Sequence, residues 1–223
     1  MSQTAARNES PTLAEDIAEY RAGFVKKAPQ ELQALFQERI DDLGASGVLG
    51  GAKNVGDTAP DFELPNAAGE LVRLSDLLKD GPVILNWYRG GWCPYCNLTL
   101  RAYQSRLDDI AAAGGTFVAV SPELPDNSLS TKQKNELAYP VLTDAGNHTA
   151  RSYGLVFQLQ DDLATIYNDA FDLNAHNGDA TNELPLAATY VIATDGTIRY
   201  AFLSSDYRER AEPSEAIAAL KGL

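Results

Sequence analysis

The chain has 223 residues, with 18 lysines and arginines against 31 aspartates and glutamates, a net charge of −13. So acidic a chain is a poor ligand for nucleic acid and is repelled by anionic membrane surfaces. With 44% hydrophobic and 9% aromatic residues it can bury a sizeable core, which excludes global disorder.

Met1 to Pro11 is polar and lacks the apolar core of a signal peptide, and no run approaches about 18 apolar residues. The expectation is a cytoplasmic protein. Thr12 to Leu43 reads as helix: Leu13, Ile17, Tyr20 and Phe24 recur at helical spacing, as do Leu32, Leu35, Phe36 and Ile40. Pro29 divides this stretch in two, because its ring clashes inside a helix. Gly44 to Gly51 reads as a flexible connection. Residues 1–54 are therefore expected to form a helical extension and linker, and residues 55–223 the main domain.

Within that domain, 61–64 and 70–74 alternate polar and apolar around a turn, a hairpin pattern. Ser75 is placed to cap a short helix, Asp76 to Lys79, closed by Gly81. Pro82 to Tyr88 is nearly all apolar, a buried central strand. A helix-like stretch then runs to Ala113, and Thr116 to Ser121 is a second buried strand. Asn127 to Leu137 reads as helix, Pro140 to Thr143 as strand, Ala145 to Tyr153 as a short helix. Asp161 to Phe171 is helix-like, and Asp172 to Leu184 is a long polar loop. Thr189 to Ala193 and Thr197 to Leu203 form a hairpin around Thr194-Asp195-Gly196, and Pro213 to Leu220 is a last helix. Such an order predicts an α/β fold with a mixed sheet and helices on both faces.

The only two cysteines, Cys93 and Cys96, stand between the central strand and the helix that follows it. Unsatisfied N–H groups and the positive end of the helix dipole favour a thiolate there, and the thiolate is the nucleophile. Pro94 suits the first helical position. Cys96 lies one turn deeper on the same face, near enough to bridge. The expectation is that Cys93 is the more exposed sulfur with the lower pKa, and that Cys96 is more buried, less acidic and able to attack a mixed disulfide or sulfenic acid formed on Cys93. Arg89, four residues earlier, is either a cation that stabilises the thiolate or polarises a peroxide, or a solvated surface arginine. Trp92 and Tyr95 flank the pair as an apolar platform or as ordinary packing. A zinc site would need two more ligands, and His148 and His176 are far apart and read as surface residues. Haem attachment would need histidine where Asn97 stands. No metal and no cofactor are expected.

Three segments carry a resemblance. Gly56-Asp-Thr-Ala-Pro-Asp-Phe-Glu-Leu64, the strand Val83 to Tyr88 followed by Cys93-Pro94, and Thr189 to Tyr200 together resemble the alkyl hydroperoxide reductase/thiol-specific antioxidant family, the peroxiredoxins. Tyr88-Arg-Gly-Gly-Trp-Cys-Pro-Tyr-Cys96 is similar to its peroxiredoxin-like branch, with the Cys-Pro-Tyr-Cys motif also seen in glutaredoxins. The resemblance implies a thioredoxin-like, peroxiredoxin-type three-layer fold with a central mixed β-sheet. It implies that Cys93 reduces hydrogen peroxide or organic hydroperoxides, that Cys96 closes a disulfide, and that thioredoxin or glutaredoxin reopens it. A homodimer is a further implication. Two positions depart from the family pattern: Gly90 stands where a peroxide-binding threonine or serine is usual, and Ala187 where an arginine is. Two competing readings are a thiol–disulfide oxidoreductase acting on protein disulfides, and a redox-sensitive binding protein.

Overall fold

The computed structural model describes residues 11–223, so the reading of residues 1–10 lies outside the described part. Two helices lead, α1 (Leu13–Lys27) and α2 (Gln30–Ala45), separated by Pro29 as the ring clash requires. Thr12 and Glu15 close a reciprocal capping box on α1. The segment read as a flexible connection is ordered instead: α2 continues to Ala45, and Val48–Gly51 makes a 3-10 turn whose valine packs on the core.

A small hairpin follows, β1 (Glu63–Pro65) and β2 (Leu71–Arg73), then α3 (Leu74–Asp80). Ser75 does not cap α3, which begins one residue earlier; the Ser75 N–H donates to Asp61 Oδ1 at 2.9 Å, brought alongside by the hairpin. Then come β3 (Val83–Trp87), α4 (Pro94–Gln104), α5 (Leu107–Ala112), β4 (Thr116–Ser121), α6 (Pro125–Lys134), β5 (Val141–Thr143) and α7 (His148–Ser152). The helix after the cysteines is broken at Ser105–Arg106 rather than continuous to Ala113. The supposed polar loop after α8 (Asp161–Phe171) holds a short helix, α9 (Leu173–Asn177), and a strand, β7 (Glu183–Pro185). That strand pairs antiparallel with β6 (Val156–Gln158), a partner 27 residues away in register at Phe157–Leu184. The chain ends with β8 (Ala187–Ile192), β9 (Ile198–Ser204) and α10 (Pro213–Lys221).

The main sheet has the order β5-β4-β3-β8-β9, with β3–β4–β5 parallel and β8 antiparallel to β3. Strand β3 is buried on both faces. Val83, Leu85 and Trp87 point to the layer of α3 and α7, while Ile84 points to the layer of α4, α5 and α10. The result is a three-layer, thioredoxin-like fold. The leading helices pack onto it. Glu212 accepts from the N–H groups of Leu13 (3.3 Å) and Ala14 (2.6 Å), Arg39 pairs with Asp162 at 3.0 Å, and Arg208 reaches Gln37 at 2.9 Å.

Candidate active site

Strand β3 delivers the chain to a tight loop at the carboxyl end of the sheet. Cys93 N–H donates to Gly90 O at 3.1 Å, and Cys93 is the N-cap of α4 with Pro94 at the first helical position. Asn97 ties the loop down: its Nδ2 donates to Gly91 O (2.8 Å) and Cys93 O (3.1 Å), and its Oδ1 accepts from Asn135 (2.8 Å). Gly90 has φ +153°, and a Cβ there would lie 2.2 Å from Trp92 Nε1. The indole thus occupies the space that a threonine at this position would need. That is the physical reason for the departure noted in the sequence.

Both sulfurs are buried, Cys93 at 2% and Cys96 at 0% exposure, and both are free thiols. Cys93 is the more exposed of the two, as expected, but by little, because rings from other elements pack over it. Burial pushes the Cys93 thiol well above its ordinary range, and its hydrogen bond to Cys96 and the charge there push the same way. Burial also opposes charge on Cys96. There a hydrogen bond from Cys93, the cations Arg210 and Arg89 and the backbone of Arg89 prevail, bringing it down to about 5. Arg210 Nη2 lies 3.5 Å from Cys96 Sγ, while its Nη1 is held by the carbonyls of Tyr207 and Glu209. The cations Arg89 and Arg210 act on both sulfurs, so the reduced pair holds one negative charge shared across it.

Arg89 is 2% exposed, so it is not a solvated surface residue. Its guanidinium lies 4.3 Å from the Tyr207 ring centroid and 5.0 Å from those of Trp92 and Tyr167. Burial works against that charge, but Tyr167, Cys93, Tyr207 and Cys96 more than offset it and hold the proton above the ordinary arginine range. Trp92 stacks on Phe171 at 5.4 Å and tilts against Tyr167 at 5.4 Å; Tyr95 meets Tyr20 and Tyr207 edge-on at 5.2 and 5.6 Å. Trp92 and Tyr95 thus form walls of an aromatic box.

That box encloses a small pocket of about 90 Å³ containing Cys93 and Arg89 but not Cys96. Its roof comes from the leading helices, through Tyr20, Phe24 and Phe36. The helix-like stretch from Asp161 supplies Tyr167 and Phe171 on one side of α8. Sequence reasoning missed Tyr167, Tyr207 and Arg210. The apolar stripe of α8 was a signal for the first; nothing local marked the other two. His148 is exposed as expected, but His176 is not a plain surface residue. It holds the fully buried Glu123 at 3.1 Å, and that hydrogen bond raises its pKa above the usual 6.5. Among the described residues no group of three or more histidines, cysteines, aspartates or glutamates could hold a metal, and no helix is long and apolar enough to cross a membrane.

Two cysteines at a helix start, just after the central strand of a mixed thioredoxin-like sheet, define a thioredoxin-fold dithiol protein. The match of residues 55–201 to the AhpC/TSA family model shows that the chain belongs to that family. A putative peroxiredoxin of Mycobacterium tuberculosis (strain ATCC 25618 / H37Rv) is 27% identical over 75% of this chain and 96% of its own. The crystal structure of the peroxidoxin BcpB from Mycobacterium tuberculosis superposes with a TM-score of 0.61 at 25% identity, covering 76% of this chain and 97% of that one. A peroxiredoxin-like protein from Aquifex aeolicus shares the fold, with a TM-score of 0.61 at 16% identity over 77% of this chain and 88% of its own.

Proposed function

We propose that the protein is a thiol-dependent peroxidase in which Cys93 attacks the hydroperoxide and Cys96 resolves it. The observation that carries this reading is the pocket itself. Cys93 and the buried cation Arg89 line one small space, and Cys96 lies behind it with its own cation, Arg210.

The reactive form of the pair carries its proton on Cys96 and its charge on Cys93. The Cys93 thiolate then attacks the terminal peroxide oxygen, a sulfur–oxygen bond forms, the oxygen–oxygen bond breaks, and alkoxide or hydroxide leaves and takes up a proton. Arg89 stabilises the charge that develops on the departing oxygen. It takes the part of the arginine that the family carries where Ala187 stands, and both positions border the same neighbouring cavity. Cys96 then attacks the sulfur of the Cys93 sulfenic acid, and the hydroxyl leaves as water. One thiol, one thiolate, one hydroperoxide and one proton from solvent become one disulfide, one alcohol or water, and one water. Thioredoxin or glutaredoxin, as an external dithiol, is oxidised in reopening the disulfide.

Reduction of hydrogen peroxide and cumene hydroperoxide by wild type, Cys93→Ser and Cys96→Ser, with a thioredoxin or glutaredoxin system, tests the assignment. Cys93→Ser is expected to be inactive, and Cys96→Ser to form sulfenic acid once without turnover. Fast reduction of a disulfide substrate alongside negligible peroxide reaction would refute peroxidase function and favour thiol–disulfide exchange.

A further inference from the structure

Beside the thiol pocket lies a second space that the reaction above does not use. It is a cavity of about 370 Å³ between α2 on one side and β6, α8 and the start of β8 on the other. That is within the range of small-molecule sites. Its walls are largely apolar: Ile40, Leu43, Leu159, Leu163 and Leu186 alternate with the rings of Phe36, Phe157, Tyr167 and Tyr207. Asp42, Ser46, Gln158 and Gln160 are exposed at its outer part, whereas Arg89, Leu186 and Ala187 at its inner part are buried. Arg39, the other cation on its wall, is already engaged by Asp42 (2.6 Å) and Asp162 (3.0 Å).

Arg89 is the inner cation, and its Nε is buried with no hydrogen-bond partner among the described residues. A buried donor on a charged group is costly to leave unmade. The rings around the guanidinium satisfy its charge in part. An apolar slot that ends on this cation fits an acyl chain with its carboxylate inward. Alanine at position 187 leaves room at that end.

We propose that this cavity binds a medium-chain aliphatic carboxylate, with its head on Arg89 and its chain between α2 and α8. A carboxylate on Arg89 neutralises the cation that faces Cys93, so the ligand inhibits peroxide reduction. That consequence rests on the peroxidase reading; the binding does not.

Calorimetric titration of the reduced protein with sodium decanoate and with 1-decanol separates head from chain. Decanoate is expected to bind about tenfold or more tightly than decanol, the worth of a charge-assisted hydrogen bond, and Arg89→Met is expected to remove that preference. Leu43→Trp, which fills the slot without touching Arg89, weakens both ligands and serves if Arg89→Met does not fold. Equal affinity for the two probes, or no binding of either, overturns the assignment. Decanoate binding in a protein that reduces no hydroperoxide would refute the peroxidase reading and leave the carboxylate site standing.

Discussion

Replacing Arg210 by methionine isolates the electrostatics of the thiol pair. Arg210 Nη2 is 3.5 Å from Cys96 Sγ, and its side chain is only partly buried, so the change is tolerable to the fold. A unit charge pair near 4 Å is worth about 4 kcal/mol at an effective dielectric of about 20, an upper figure for a partly solvated cation. Opposite charges this close move a pKa by roughly 1–3 units, each unit being about 1.4 kcal/mol. Cys96 lies at about 5 with Arg210 in place. Its first ionisation in Arg210→Met is therefore expected at roughly 6–8, still below a free thiol because Arg89 and Cys93 remain. Arg210→Lys, keeping the charge without the planar fork, falls between. Ultraviolet thiolate absorbance against pH measures this directly, with Cys96→Ser assigning the sulfur. An unmoved titration in Arg210→Met would refute the claim that this cation stabilises the negative charge on the pair.

Restoring the family residue in Gly90→Thr is expected to destabilise the protein by about 1–3 kcal/mol, because the new side chain meets the Trp92 indole; urea unfolding checks it, and unchanged stability would count against the contact. Between pH 5 and 9 the reduced protein gains stability over Cys96→Ser. A folded pKa of about 5 against the ordinary 9.0 means that the contribution is full above pH 9 and is lost as pH falls toward 5, which unfolding curves across that range measure. His176 has the opposite sign. Its raised pKa gives a contribution that is full below pH 6.5 and lost as pH rises through the folded value, so the stability gap between wild type and His176→Gln closes on the alkaline side. Glu212→Ala removes the hold on the first turn of α1, and alkylation of Cys93 by iodoacetamide is expected to quicken as Tyr20 and Phe24 lift; an unchanged rate would show that the roof opens by another route.

Much of this protein is written locally. The break at Pro29, the buried strand Val83–Trp87, the closing hairpin around Asp195-Gly196 and the cysteine pair at a helix start each follow from short-range sterics, alternation and capping, and each is found in place. Strands β6 and β7 were not legible, because three-residue strands exist only through their pairing across 27 residues of chain. The site divides in the same way. Spacing determined that two thiols share one helix start beside an arginine. Only the tertiary structure decided their burial, which cations face them, and what surrounds Arg89. Tyr20, Phe36, Tyr167, Tyr207 and Arg210 come from both ends of the chain and from the α8 segment, and four of these five lie outside residues 55–201, the part that matches the family. The reason is physical: helix-terminus chemistry acts within one turn and can be read in sequence order. Desolvation and charge pairing depend on which distant side chains fold over the sulfur, and packing alone settles that.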